Sequence, residues 1–318
     1  MPAFDLPLEE LYHYRGISPR PKDFDHYWLT ALAELDTAEP DVKLQPASFT
    51  ASGTECFDLV FSGVREAKIY AKYLRPAQVK SCPCVLFFHG YNMSSGDWVP
   101  YLPYVLQGMC VVAMDCRGQG GRSEDTGRYT GNTKHGHIIR GIMDDPQDLL
   151  FRQIYLDTVQ LVRILNTFPE IDPLRIAAIG ASQGGALAAA CSALSGGVKL
   201  SVIQHPFLAD FKRTWQMDLG GKAYEEIYQY FRMFDPMHQQ EEQFFERLGY
   251  LDIRLLAERI HNHTLMAIGL MDQTCVPSTQ FAVYNALAGE KELCLYPDFA
   301  HEHFPGFADR VFSFLKQL

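Results

Sequence analysis

The stretch Arg175-Ile176-Ala177-Ala178-Ile179-Gly180-Ala181-Ser182-Gln183-Gly184 decides the fold of this 318-residue chain. Five mostly apolar residues read as a buried strand. Gly180 to Gly184 spell G-x-S-x-G, and the small-residue run Gly185 to Leu194 reads as a helix. A strand that turns sharply into a helix around one serine is the setting of a nucleophile elbow, which lifts a hydroxyl above a sheet edge. Glycines at both ends permit the tight turn and the close approach of helix to strand. Read alone, the pattern also fits a plain strand–helix turn; its position between a buried strand and a helix favours the catalytic reading.

Outward from the elbow, strands and helices alternate. Glu55–Phe61, Ala67–Leu74, Val85–His89, Cys110–Asp115, Leu200–Gln204, Leu265–Met271 and Glu292–Tyr296 read as strands. Asp23–Leu35, Asp144–Phe168, Ser278–Leu287 and Phe304–Leu318 read as helices. Buried strands separated by helices predict an α/β fold with a mostly parallel sheet covered on both faces. Between about 205 and 260 the alternation gives way to aromatic, amphipathic segments (Tyr224–Phe234 and Gln240–Leu248). They predict a helical insertion over the C-terminal edge of the sheet, placed as a lid. Residues 1–45 read as an N-terminal arm on a single domain spanning 1–318, with Leu6, Leu8, Leu11 and Tyr12 looking exposed.

Composition narrows the class. An apolar content of 47% supports one large core, and a formal net charge of −10 argues against nucleic acid as a partner. No apolar run reaches membrane-span length. The acidic start Met1-Pro2-Ala3-Phe4-Asp5 predicts no signal peptide and a cytoplasmic location. Eight cysteines without a C-x-x-C pair read as buried, reduced and structural. His135-Gly136-His137 and His261-Asn262-His263 lack a glutamate or cysteine at ligand spacing, so they read as solvated or loop histidines; no metal or cofactor is expected.

A serine nucleophile needs a base, and the base needs a carboxylate to fix its tautomer. In α/β-hydrolases these follow in the order serine, acid, histidine, each in a loop after a strand. Asp272 ends one candidate strand and His301 lies in the loop after the next. Asp298 shares the histidine's own loop and is the lesser candidate for the acid. His303, expected to open the last helix, is the lesser candidate for the base. His89 reads as an anchor for the loop after its strand. That loop supplies the Tyr91 amide, and the residue after the serine supplies the Gln183 amide, as candidate oxyanion donors. Arg117-Gly118-Gln119 reads as a tight buried turn in which Arg117 bonds carboxylates or carbonyls, and not as a nucleotide loop.

Together, Arg117-Gly118-Gln119, Gly180-Ala181-Ser182-Gln183-Gly184 and His301-Glu302 resemble the signature of carbohydrate esterase family seven, the acetyl xylan esterases and cephalosporin C deacetylases. Phe88-His89-Gly90-Tyr91, Gly96-Asp97-Trp98, Arg140 to Pro146 and Tyr296 to Phe299 extend the resemblance over nearly the whole chain. It implies an α/β-hydrolase fold, with Ser182, Asp272 and His301 as the triad and Tyr91 and Gln183 as the oxyanion hole. It further implies a homo-hexamer enclosing its active sites, and removal of acetyl groups from small substrates: short acetylated xylo-oligosaccharides and cephalosporin C. The residues by themselves leave open a broad short-chain carboxylesterase, a peptidase, and a non-catalytic binding protein of the same fold.

Overall fold

The computed structural model describes residues 4–37, 39–78, 80–131, 136–218 and 223–318. Two helices open the chain, α1 (Leu8–Leu11) and α2 (Phe24–Glu34). Three strands follow, β1 (Lys43–Pro46), β2 (Thr54–Ser62) and β3 (Lys68–Pro76). Then come β4 (Cys82–Phe88), α3 (Leu102–Leu106), β5 (Cys110–Met114), α4 (Leu150–Leu165), β6 (Ile171–Ala181), α5 (Gln183–Ser195) and β7 (Leu200–Gln204). Four helices separate β7 from β8: α6 (Phe211–Gln216), α7 (Glu225–Phe234), α8 (Glu241–Gly249) and α9 (Ile253–Ala257). The chain closes with β8 (His263–Gly269), α10 (Pro277–Ala286), β9 (Lys291–Tyr296) and α11 (Phe307–Phe314).

The nine strands form one sheet in the order β1-β2-β3-β5-β4-β6-β7-β8-β9. The run from β5 through β9 is parallel, while β1, β2 and β3 join it antiparallel. This is the mostly parallel α/β-hydrolase sheet that the alternation predicts. Side chains leave a strand on alternate faces, so each central strand feeds two cores. Leu86, Phe88, Ile176, Ala178, Met266 and Ile268 enter the larger, with α4, α5 and α9. Val85, Ala177, Ile179, Leu265 and Ala267 pack the other way, against Phe307, Val311 and Phe314 of α11. Each large apolar side chain so buried contributes about 1.5–3 kcal/mol.

Several boundaries move for identifiable reasons. The predicted helix from Asp144 begins only at Leu150. Pro146 opens a short 3-10 turn capped by Asp145, and Leu149 is extended at ψ 125°. The last helix begins at Phe307 rather than Phe304, because Pro305 and the left-handed Gly306 intervene. His303 therefore does not open it. β1 was absent from the sequence reading: all four of its residues are exposed, so it carries no buried periodicity.

The N-terminal segment docks on its own domain. Leu11 is 2% exposed, against the expectation of an exposed arm, and Leu6 and Leu8 pack on the core. Only Tyr12 remains largely open, edge-on to Phe281. The carboxylate of Asp210 accepts from the Tyr14 hydroxyl at 2.7 Å and from the Ser18 amide and hydroxyl, both at 2.8 Å. Trp28, fully buried, donates to the Tyr250 carbonyl and ties α2 to the end of α8.

Candidate active site

Ser182 stands between β6 and α5 with φ 57° and ψ −122°, a conformation that non-glycine residues adopt only under constraint. The constraint is visible in the two flanking glycines. A Cβ on Gly180 would lie 2.1 Å from the backbone of Gly184, and one on Gly184 would lie 2.0 Å from the Phe88 carbonyl oxygen. The helix can sit this close to β4 and β6 only without those side chains. Backbone bonds hold the turn from both sides: Ser182 N–H donates to the Gln204 carbonyl at 3.0 Å, and Phe207 N–H donates to the Ser182 carbonyl at 3.1 Å.

Asp272 and His301 meet across the loops after β8 and β9. His301 Nδ1 lies 2.7 Å from Asp272 Oδ2. Asp272 is fully buried, and its other oxygen accepts the Thr274 and Cys275 amides at 2.8 and 2.9 Å, while Gln280 Nε2 donates to Oδ2 at 3.1 Å. A carboxylate so fully occupied by donors is held in one orientation. With Nδ1 donating to it, His301 carries its lone pair on Nε2, the nitrogen a general base uses. Asp298 is exposed and stands apart from this arrangement. Cys275 borders the same spot; burial, and then the Asp272 charge, push its thiol well up, so it stays protonated beside the serine.

One candidate oxyanion donor opens a helix and the other lies in the loop after β4. Gln183 is the first residue of α5, and the first amides of a helix have no partner within it. Tyr91 lies in the loop after β4, and that loop is tied at successive residues. His89 Nδ1–H donates to the Gly90 carbonyl at 2.8 Å, while His89 Nε2 accepts the Cys116 amide at 2.9 Å. Burial pushes the His89 pKa down, so the neutral ring required by that pair of bonds persists. The next anchor is Gln119, whose Oε1 accepts the Asn92 amide at 3.0 Å and whose Nε2 donates to Gln183 Oε1 at 2.8 Å. The Arg117-Gly118-Gln119 turn thus reaches both donor loops. Its Arg117, 1% exposed, forks onto Asp157 at 2.7 and 2.6 Å and donates to the Val64 carbonyl, as the sequence reading expects.

Three neighbours were not foreseen. His205 follows β7, packs its ring 4.2 Å from that of His301, and is pushed down to about 3 by burial and then by the His301 charge. It is therefore a neutral wall. Among the described residues, His205, Asp272 and His301 offer ligand atoms within 4.8 Å of one another, a trio able to face a metal ion. Glu226 of α7, 4% exposed, accepts the Tyr91 hydroxyl at 2.6 Å. His137 is a loop histidine, as the sequence suggests, but its Nδ1 lies 3.2 Å from the same hydroxyl. His135 lies outside the described residues. His263 opens β8 with its Nε2 3.2 Å from a Glu292 oxygen and its ring edge-on to Phe314.

The helical insertion keeps most of its aromatic residues for itself. Trp215, Phe231, Phe244 and Phe245 pack against one another, and Phe207 is the one that reaches Tyr91, at 5.4 Å between rings. A cavity of about 380 Å³ opens between the insertion and the Gly118 turn, lined by Asp125, Tyr129, Arg140, Tyr230 and Phe234. Ser182, Asp272 and His301 are not among its walls. No helix among the described residues is long and apolar enough to cross a membrane.

Comparison with known proteins converges on one group. The acetyl xylan esterase family model matches residues 1–318. The structure of acetyl xylan esterase 1 from a Thermoanaerobacterium species superposes with a TM-score of 0.97 at 49% identity, covering 98% of this chain and 99% of that one. An acetyl xylan esterase from a Paenibacillus species gives a TM-score of 0.94 at 35% identity, over 98% of this chain and 99% of the other. An acetyl esterase from Xylanibacter ruminicola is 24% identical over 283 residues, 87% of this chain; the chain spans 62% of that longer relative.

Proposed function

Because this chain belongs to the acetyl xylan esterase family, we propose that it hydrolyses acetyl esters of small acetylated substrates through an acyl-enzyme formed on Ser182. The observation that carries the reading is the 2.7 Å bond from His301 Nδ1 to a fully buried Asp272, taken together with the elbow conformation of Ser182. In the first half-reaction His301 Nε2 takes the Ser182 proton and Oγ attacks the acetyl carbonyl carbon. The carbonyl oxygen becomes an oxyanion facing the Tyr91 and Gln183 amides. Collapse expels the alcohol, protonated by His301, and leaves acetyl-Ser182. Water, deprotonated by the same nitrogen, repeats the sequence and releases acetate. Asp272 holds the tautomer throughout. Each preorganised donor contributes about 10²–10³ in rate.

The substrates we propose are short acetylated xylo-oligosaccharides and the acetoxymethyl group of cephalosporin C, handled in a homo-hexamer within the cytoplasm. The test is acetate release from a panel of acetylated sugars, cephalosporin C and p-nitrophenyl esters of increasing length, with light scattering on the same sample. Fast release from acetylated oligosaccharides, little from polymeric xylan and a hexameric mass are expected. Efficient cleavage of octanoate esters would favour a broader carboxylesterase instead.

A further inference from the structure

Glu226 poses a problem that the reaction just described does not use. It lies in the first turn of α7, 4% exposed, and the partners that hydrogen-bond it among the described residues are a hydroxyl and backbone amides. Oε1 accepts the Tyr91 hydroxyl at 2.6 Å and Oε2 accepts the Ile139 amide at 3.0 Å; Arg140 acts only as a weak pull from further off. Burying a carboxyl group costs free energy that an apolar side chain would not. What the carboxyl does achieve is to fix the Tyr91 ring. That ring is also pressed by Phe207, at 5.4 Å, and by His137 edge-on at 5.3 Å.

Tyr91 is the middle of three consecutive anchored residues. His89 bonds the Gly90 carbonyl before it and Gln119 bonds the Asn92 amide after it. Gly90, without a side chain, and Asn92, at φ 59°, do not stiffen this loop by themselves. The direction of the Tyr91 amide is set by the backbone at Tyr91, and the longest lever on that backbone is its own side chain, clamped at the hydroxyl. We propose that Glu226 is a positioning residue: reaching in from the helical insertion, it holds the Tyr91 hydroxyl so that the Tyr91 backbone N–H points at the developing oxyanion. The insertion then does more than cover the site, since seating α7 completes the oxyanion hole. The inference rests on the reading of the Tyr91 amide as an oxyanion donor.

Kinetics of Glu226→Gln, Tyr91→Phe and the double variant on p-nitrophenyl acetate test it, with Glu225→Gln, an exposed neighbour on the same turn, as control. Above about pH 7, where Glu226 ionises, it accepts on both oxygens; a glutamine accepts on one only, so it cannot accept from the Tyr91 hydroxyl and the Ile139 amide on separate oxygens. Each single variant should lose about tenfold in kcat with KM changed less than about threefold, because a misaimed donor weakens the transition state selectively. The double variant should be no worse than the poorer single one, and Glu225→Gln should match the wild type. A purely structural role would lower the melting temperature and leave kcat of the folded enzyme intact. Wild-type kcat in Tyr91→Phe, or losses that multiply in the double variant, would overturn the proposal. If Glu226→Gln fails to fold, Tyr91→Phe still decides, since it removes only the hydroxyl. Ser182→Ala in the same assay separates the two readings: an active Ser182→Ala refutes the esterase mechanism, whereas an inactive one beside a fully active Tyr91→Phe refutes only this proposal.

Discussion

Replacing Asp272 with asparagine isolates the orienting carboxylate with almost no change of shape. Four hydrogen bonds now converge on its two oxygens: Thr274 and Cys275 amides on Oδ1, Gln280 Nε2 and His301 Nδ1 on Oδ2. An asparagine has one oxygen, so it must choose. Turning its NH₂ toward the two backbone amides would strand two buried donors, at about 1–3 kcal/mol each. Keeping its oxygen there costs less and points the NH₂ at His301 and Gln280. His301 then has to accept at Nδ1 and carry its proton on Nε2, where it can no longer take one from Ser182. The expected loss in kcat is on the order of 10³–10⁴-fold, with stability lowered by about 1–3 kcal/mol for the displaced Gln280 bond. Steady-state hydrolysis of p-nitrophenyl acetate, beside a thermal melt, measures both. Asp298→Asn serves as the control, because that carboxylate is exposed, and should change kcat by less than about threefold, as surface substitutions do. A folded Asp272→Asn enzyme within about tenfold of wild type, or a larger loss in Asp298→Asn, would refute the tautomer argument and reassign the acid.

The remaining expectations touch the scaffold and its titration. Gly184→Ala places a Cβ 2.0 Å from the immovable Phe88 carbonyl; it should push α5 off the sheet, cost more than about 3 kcal/mol and abolish turnover, and a variant of wild-type stability by chemical denaturation would show the elbow to be looser than described. Asp157→Ala removes both hydrogen-bonded carboxylate contacts of the Arg117 guanidinium, 1% exposed, and leaves it only Asp125 at 3.9 Å; it should cost about 3 kcal/mol, and a denaturation midpoint unchanged from wild type would contradict that. Burial pushes Glu226 from 4.5 to about 7 in the folded chain, opposed by the Tyr91 bond, the Ile139 and Ile138 amides and Arg140, with His137 on the far side of the Tyr91 hydroxyl. The folded state therefore keeps a proton that the unfolded chain sheds, and this contribution to stability is complete below pH 4.5 and is lost as pH rises through 7. Wild type measured against Glu226→Gln should lose up to about 3 kcal/mol across that window; a difference independent of pH would mean that the carboxyl group ionises normally.

The sheet was legible because its strands are buried on both faces, which writes them as short unbroken apolar runs such as Val85–Phe88 and Leu200–Gln204. Boundaries failed where one residue overrides a pattern: Pro146 at the start of α4, Pro305-Gly306 before α11. β1 escaped because an exposed edge strand has no periodicity to read. The candidates for nucleophile, acid and base stand out in the sequence because each follows a strand, and the geometry brings Asp272 to His301 across 29 positions of chain. Glu226 gave no such signal. A glutamate in the first turn of an amphipathic helix reads as a favourable charge at the helix N-terminus, and its partner lies 135 residues away. The Gln119–Gln183 pair is hidden in the same way: both motifs were visible, but a contact over 64 residues between two amides leaves no trace in spacing. Leu11 looked exposed because short polar-flanked segments usually are, and only the docking of the segment on α10 and the core buries it.

The covalent intermediate is the most direct point of attack on this account. The enzyme is mixed with excess p-nitrophenyl acetate, quenched in acid within the first turnover, and its intact and peptide masses are read. One acetyl group per chain on the peptide containing Ser182, absent from Ser182→Ala and accumulating in step with the burst of nitrophenolate, is the predicted result. Acetyl groups on other residues only, or hydrolysis that persists in Ser182→Ala, would contradict the claim that this elbow serine carries the reaction.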